Sequence, residues 1–323
     1  MTSNAALYVA DKVNVSAKHS AAKIRPVANS ARIESVENNI VNTNINHEQQ
    51  LKSRIAKQFS RAATRYDAAA QVQIDIADDA LKLFFERCDE HSQILPKRII
   101  DIGCGTGRVT RELARLNTQH TSHIFAMDLA LGMLKHAREQ TVEDAPNTNI
   151  SWLQGDAEHL PLGDSAASGV FSSMALQWCK NSTQVCTEIN RVLAPGASGV
   201  LAIMCQGSMH ELDTCWQHVD SQRKINQFAS AETWSSAAKA AGLQVTAQQK
   251  SYVTWHKDVR ELLGSIKNIG ANVVTSNTRQ KAISRNTLHA LELYYQSTFG
   301  RNQGLPLTYN VCFLSLVKPV SKQ

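Results

Sequence analysis

Between residues 97 and 204 short apolar runs alternate with segments of helical period, and the first run ends in glycines. RIIDIG reads as a strand, CGTG as a turn and RVTRELARL as a helix. HIFAMD, ISWLQGD, SGVFSSM and SGVLAIMC follow as strands, with LGMLKHAREQ and TQVCTEINRVL as helices between them, the latter closed by Ala194, Pro195 and Gly196. Parallel strands need long crossovers, and helices of this length supply them. The order therefore predicts an α/β fold with a doubly wound, mostly parallel sheet. Beyond Gln206 the alternation loosens: helices are expected near 210–223, 231–241, 257–268 and 280–297, a strand near 243–254, and LPLTYNVCFLSLVK as a terminal strand. That makes seven strands, with extra helices inserted before the last.

Ahead of the sheet, residues 1–47 hold no glycine and no sustained apolar period, and are expected to form a disordered tail. From Glu48 the pattern changes. Ile55, Phe59, Ala62 and Tyr66 recur at helical spacing, as do Ile74, Ala77, Leu81 and Phe84, so two helices over 48–90 are expected, broken near Tyr66-Asp67. They form a candidate lid. With 323 residues, 43% hydrophobic and 19% charged, the chain has the composition of a globular protein of one enlarged domain or two. No apolar run is long enough to span a membrane, and the N-terminus lacks a secretory signal, so a cytoplasmic location is expected. The seven cysteines include no CxxC pair; the lone CxxH at Cys215 and His218 supplies two ligands at most, so no metal is expected and the thiols are expected to be reduced.

The chemistry concentrates at the first strand end, Asp101-Ile102-Gly103-Cys104-Gly105-Thr106-Gly107. Such a turn lets a ligand approach the backbone at the carboxyl edge of the sheet. A dinucleotide fingerprint would want its third glycine one residue later, where this chain has Arg108. An acid at Asp101 would repel a pyrophosphate and welcome an ammonium group. Asp128 ends the next strand, about 20 residues past the loop, where a carboxylate accepts both hydroxyls of a ribose. Asp156 ends the third and suits an exocyclic adenine amine. Ammonium, ribose and adenine together describe S-adenosylmethionine; Leu129, Met133 and Ala157 flank these acids and complete the expected cofactor set.

DIGCGTG, Asp128 and GDAEHLPL resemble the first motifs of class I S-adenosylmethionine-dependent methyltransferases, a Rossmann-like fold. The resemblance extends further. AKQFSRAATRYDAAAQVQ, MALQWC, CQGSMHEL, GSIKNIGAN and LPLTYNVCFLSLVK are together similar to the malonyl-acyl-carrier-protein O-methyltransferases of biotin synthesis, over about residues 51–318. The resemblance implies methylation of the free carboxylate of a malonyl thioester, carried by acyl-carrier protein or coenzyme A. A carboxylate is already an adequate nucleophile at neutral pH, so no general base is required. Tyr66 and Tyr309 suit neutral donors to that carboxylate, Lys267 a single cation, and Gln177 and Trp178 residues facing the methyl donor, Trp178 with its ring toward the sulfonium.

Charge is uneven. From Lys250 onward ten basic residues face three acidic ones, whereas the whole chain carries +6. Such a patch fits an acidic protein or a nucleic acid; no reader motif or aromatic-interleaved groove supports the latter. Arg260, Lys267, Arg279, Lys281 and Arg285 are the candidate docking residues for an acidic carrier protein, on a chain expected to be monomeric. Competing readings are another small-molecule methyltransferase of the same fold, a binding module that has lost its cofactor, and a nicotinamide-dependent oxidoreductase, the last opposed by Asp101 and Arg108.

Overall fold

The computed structural model describes residues 30–87, 96–116, 122–144, 149–272 and 282–320, with side chains from residue 48 onward except 142–144. The chain divides into two units, Met1–Glu48 and Gln49–Gln323, and the second contains the sheet and the cavities described below.

Helices α1 (Ser30–Ala69) and α2 (Gln71–Arg87) precede the sheet. Strands β1 (Arg98–Ile102), β2 (His123–Asp128), β3 (Ile150–Gln154), β4 (Ala167–Ser173) and β5 (Leu193–Met204) are joined through α3 (Arg108–Leu116), α4 (Leu131–Asp144), a short 3-10 turn (Leu176–Trp178) and α5 (Ser182–Val192). Then come α6 (His210–Val219), α7 (Ala231–Ala240), β6 (Gln244–His256), α8 (Val259–Asn268), α9 (Arg285–Phe299) and β7 (Leu305–Val317). The sheet has seven strands in the order β3-β2-β1-β4-β5-β7-β6. Its first five are parallel, and β7 enters antiparallel between β5 and the edge strand β6.

Alternation along the central strands builds the two cores, because successive strand side chains point to opposite faces. Ile99 on β1 with Val200 and Ala202 on β5 joins a cluster containing Phe84 of α2, Leu212 of α6, Leu262 of α8 and Tyr295 of α9. Ile100 and Ile102 with Leu201 and Ile203 pack on the other face against Ile189 of α5 and Trp234 of α7. Asp258 and Ser284 cap α8 and α9 by accepting from the backbone N–H groups of Glu261 and Thr287. No described helix is long and apolar enough to cross a membrane.

Three boundaries differ from the sequence reading. Helical backbone begins at Ser30, well before Glu48; no glycine or proline lies between Pro26 and Ala69 to interrupt it. The break between the first two helices falls at Ala70, which keeps Tyr66 inside the last turn of α1. Strand β5 starts at Leu193, which pairs with Ala167; the next pair is Gly169 with Ser198, so Ala194-Pro195-Gly196 is an irregularity within the strand.

Candidate functional site

The strand order reverses between β1 and β4, so their carboxyl ends diverge and leave a crevice, the place where open α/β sheets bind ligands. A cavity of about 830 Å³ lies there. Gly103 and Gly105 of the loop, Asp128 and Leu129 after β2, Asp156 and Ala157 after β3, and Met174 after β4 line it. Lys52, Ile55, Ala56, Phe59 and Tyr66 of α1 form the opposite wall, at the spacing of one helix face.

The loop is held in place by its own backbone: Gly103 and Cys104 donate to the Met127 carbonyl at 2.7 and 2.9 Å. Gly103 has φ +74°, and a Cβ there would lie 2.1 Å from the Ala175 Cβ; only glycine fits. Gly105 has φ +56°, yet its Cβ position has nothing within 4 Å, so the space beside it is open to a guest. Asp128 accepts from Gly105 N at 2.9 Å and from Ala130 N at 2.7 Å. Burial raises its carboxyl above the ordinary range against these donors. Asp101 is buried, accepts from the Thr110 hydroxyl at 2.6 Å, and is pushed up to about 7, by burial first and by the Asp128 charge second. Burial likewise raises the Cys104 thiol, which keeps it protonated.

Asp156 is already engaged. Its Oδ2 accepts from Lys52 Nζ at 2.7 Å and its Oδ1 from Glu158 N at 3.0 Å. Lys52 also pairs with Glu158, whose other oxygen accepts from Lys180 N and Asn181 N. The sequence reading missed Lys52 and Glu158. Lys52 shares a helical stripe with Ile55 and Phe59, and Glu158 stands in the GDAEHLPL segment, but nothing local pairs them.

Most of the expected cofactor residues converge on this crevice. Asp101, Cys104 and Thr106 line a second recess behind the loop, where the Thr106 hydroxyl donates to Asp67 at 2.7 Å. Met133 is buried in the wall of the first cavity. Gly107 lines neither cavity: a Cβ there would press on Trp152 and Ala137, so this glycine serves helix packing. Gln177 lines neither as well, and its Nε2 donates to the Met174 carbonyl at 2.7 Å.

Tyr66 borders both spaces. Burial, with Asp128 and Asp67, drives its ionisation far upward, so it remains a neutral phenol and a donor. Trp178 stacks edge-to-face on Phe59, centroids 5.5 Å apart, and separates the crevice from a chamber of about 1030 Å³ beneath α6, α8 and the 220–228 segment. Met209, Trp216, Phe228 and Ile266 give that chamber apolar walls; Arg223, Lys224 and Lys267 also line it. Tyr309 lines none of these cavities. It lies in the core on β7, its hydroxyl hydrogen-bonded to Thr254 and pushed up to about 12 by burial. Arg260 and Arg285 are exposed on α8 and α9, whereas Arg279 and Lys281 lie outside the described residues.

This sheet order, with a glycine loop and acids at successive strand ends, defines a methyltransferase, and residues 100–201 match the family model described as a methyltransferase domain. Two solved structures share the fold: the YcgJ protein of Bacillus subtilis (TM-score 0.53, 16% identity, 75% of this chain and 99% of that one) and Haemonchus contortus phosphoethanolamine N-methyltransferase 2 in complex with S-adenosyl-L-methionine (0.51, 19%, 80% and 57%). The malonyl-[acyl-carrier protein] O-methyltransferases of Hahella chejuensis and Serratia marcescens are 32% and 31% identical over 262 residues, 88% and 94% of their own lengths. The chain belongs to the malonyl-[acyl-carrier protein] O-methyltransferase family. It also matches the biotin biosynthesis bifunctional protein BioHC of Teredinibacter turnerae at 33% identity over 84% of this chain, and spans about half the length of that relative.

Proposed function

We propose that this chain transfers a methyl group from S-adenosylmethionine to the free carboxylate of malonyl-acyl-carrier protein, an early step toward biotin. The carrying observation is that Trp178 is shared by two cavities, the crevice at the strand ends and the large apolar chamber. A chamber with apolar walls and cationic residues suits an acyl-pantetheine arm, and it opens beside the crevice where an adenosyl donor fits.

The crevice suits that donor on its own chemistry. Open space at Gly105 accommodates it, Asp128 keeps lone pairs for a ribose, and the apolar surfaces of Met133 and Leu129 flank the adenine. The bound donor would supply an electrophilic methyl on a sulfonium. The chain's own part is alignment and exclusion of water. Holding the carboxylate oxygen in line with the methyl can lower the barrier by about 7–11 kcal/mol. Cation and anion combine to neutral products, so charge separation shrinks toward the transition state. Strong ion pairing of the carboxylate would therefore stabilise the reactants more than the transition state. The neutral phenol of Tyr66 suits this requirement, with Lys267, which lines the chamber together with Arg223 and Lys224, as the modest cation for the carboxylate. Trp178 and Phe59 keep the junction dry. Arg260 and Arg285 belong to the basic surface that meets an acidic carrier.

Incubation with S-adenosylmethionine and malonyl-acyl-carrier protein, followed by mass spectrometry, tests this. A gain of one methylene on the malonyl form and none on the acetyl form is expected. No gain while cofactor still binds would direct the search to other acceptors, and the coenzyme A thioester run in parallel decides the carrier.

A further inference from the structure

The apolar chamber beside the crevice has two unlike ends. Its near end is fixed by Trp178, which it shares with the crevice, and by the turn after α8. A Cβ on Gly270 would lie 3.2 Å from the Phe59 Cα, so this turn seats Lys267 and Asn272 against α1 at the very residue that stacks on Trp178. The far end follows α6. Met209, just before that helix, donates its N–H to the Thr308 carbonyl on β7 at 2.6 Å, and Trp216 stands about two turns, or roughly 10 Å, further along the axis. There the Arg223 guanidinium lies over the Trp216 ring, 4.8 Å from its centroid, and Lys224 continues the wall. The Arg223 side chain is only 10% exposed, and Asp220 Oδ2, 3.8 Å from its Nε, belongs to a residue outside the wall. Stacking on an indole orients the guanidinium plane and leaves its donors at the edges, where a fork meets two anionic oxygens. Leu212, Phe228, Leu263 and Ile266 separate the two ends with apolar surface, which strengthens a cation–anion contact made beside it.

We infer that Arg223 and Lys224 bind the 4′-phosphate of the pantetheine arm, with the thioester directed toward Trp178 and the acyl carboxylate at the crevice. The inference rests on the proposed function and deepens it by naming the residues that anchor the substrate arm. An anion held at the far end is out of reach of a methyl group in the crevice, so the charge recognised there is not that of the methyl acceptor. A phosphate is the second anion of an acyl-phosphopantetheine, and the uncharged stretch between its two anions matches the apolar middle of the chamber. Anchoring the phosphate fixes the depth to which the arm enters, and therefore which acyl length brings a carboxylate oxygen up to the methyl. Carrier protein and coenzyme A both carry this phosphate, so the subsite recognises the arm and leaves the choice of carrier to the surface outside.

The test is competition against malonyl-acyl-carrier protein in the methyl-transfer assay. Malonyl-pantetheine and malonyl-4′-phosphopantetheine are the competitors, and the full chain is assayed as wild type, Arg223→Met and Lys224→Met. Wild type is expected to be inhibited by the phosphorylated competitor at an about 10–100-fold lower concentration, the worth of a charge-assisted hydrogen bond. Arg223→Met is expected to bring the two inhibition constants together. Lys224→Met, a change at an exposed residue, is expected to lose part of the preference and serves if the Arg223 variant does not fold. A role confined to packing on Trp216 would weaken both competitors alike and keep their ratio. No preference in wild type, a preference that survives both substitutions, or no competition by either compound overturns the subsite. Absence of methyl transfer to malonyl-acyl-carrier protein by wild type overturns instead the proposed function on which the subsite rests.

Discussion

Lys52 Nζ lies 2.7 Å from Asp156 Oδ2, and the same ammonium pairs with Glu158, so one lysine ties α1 to the end of β3 at the crevice. Glu158 is 3% exposed and Lys52 20%, which places the pair where screening is weak. Lys52→Met is expected to cost about 1–3 kcal/mol in denaturant unfolding, because it strips a charged donor from a buried carboxylate. Amides of residues 50–60 are expected to exchange faster in the same variant, and Lys52→Arg to restore most of the loss. Unchanged unfolding and exchange would reduce the contact to a surface pair.

Asp101 gives the protein a pH dependence whose sign follows from its raised carboxyl. The folded chain holds a proton that the unfolded chain releases near pH 4, so stability falls as pH rises toward about 7 and the full penalty applies above it. Asp101→Asn is expected to stabilise the ligand-free protein at pH 8 and to do so much less at pH 5. Binding of an ammonium at Asp101 requires the carboxylate, so affinity for S-adenosylhomocysteine is expected to fall by up to about tenfold per pH unit below 7, with proton release read from buffer-dependent heats. A flat affinity from pH 5.5 to 8 would separate Asp101 from the ammonium.

The glycine loop and the acids at the strand ends were legible because strand, turn and helix are contiguous and each has its own period. Arg108–Leu116 and His123–Asp128 coincide with the helix and strand expected from those periods. Contacts across the fold left no such trace. Lys52 and Glu158 are 106 residues apart, and a paired lysine in a helix stripe looks the same as a solvated one. Arg108 was legible only as a departure from a dinucleotide pattern; its ion pair with Asp78 depends on α2, 30 residues earlier in the chain. Tyr309 carried a polar tip that the sequence offered to the site, whereas β7 buries it against β6 with Thr254 as its partner.

Gly103 and Gly105 are expected to respond differently to the same added methyl group. A Cβ at Gly103 would collide with Ala175 Cβ at a positive φ, so Gly103→Ala is expected to lose about 2–4 kcal/mol of stability. Gly105→Ala meets open space and is expected to lose only about 1–2 kcal/mol, while cofactor affinity drops by about tenfold or more. Unfolding curves and calorimetric titrations of the two variants check the contrast; retained affinity in Gly105→Ala would move the ligand away from the loop.

Tyr66→Phe isolates the phenol that borders both spaces. Its proton stays on across the physiological range, so it is available as a donor, and under the proposed function Tyr66→Phe removes a hydrogen bond to the acceptor carboxylate. Turnover is expected to fall by about 100-fold with cofactor affinity unchanged. Single-turnover rates beside calorimetry decide it, and full turnover would remove Tyr66 from the site.

Arg260 and Arg285 are exposed, so the carrier docking proposed for them would be electrostatic and screened by salt. Reversing both to glutamate is expected to raise KM for malonyl-acyl-carrier protein by about tenfold at low ionic strength, and to leave the rate on a small malonyl thioester unchanged. At about 1 M salt, where screening shortens the field to roughly 3 Å, the two proteins are expected to converge. A KM that does not respond to the reversal at low salt would mean that these charges only solvate the surface, and docking would then fall to the residues that line the chamber itself.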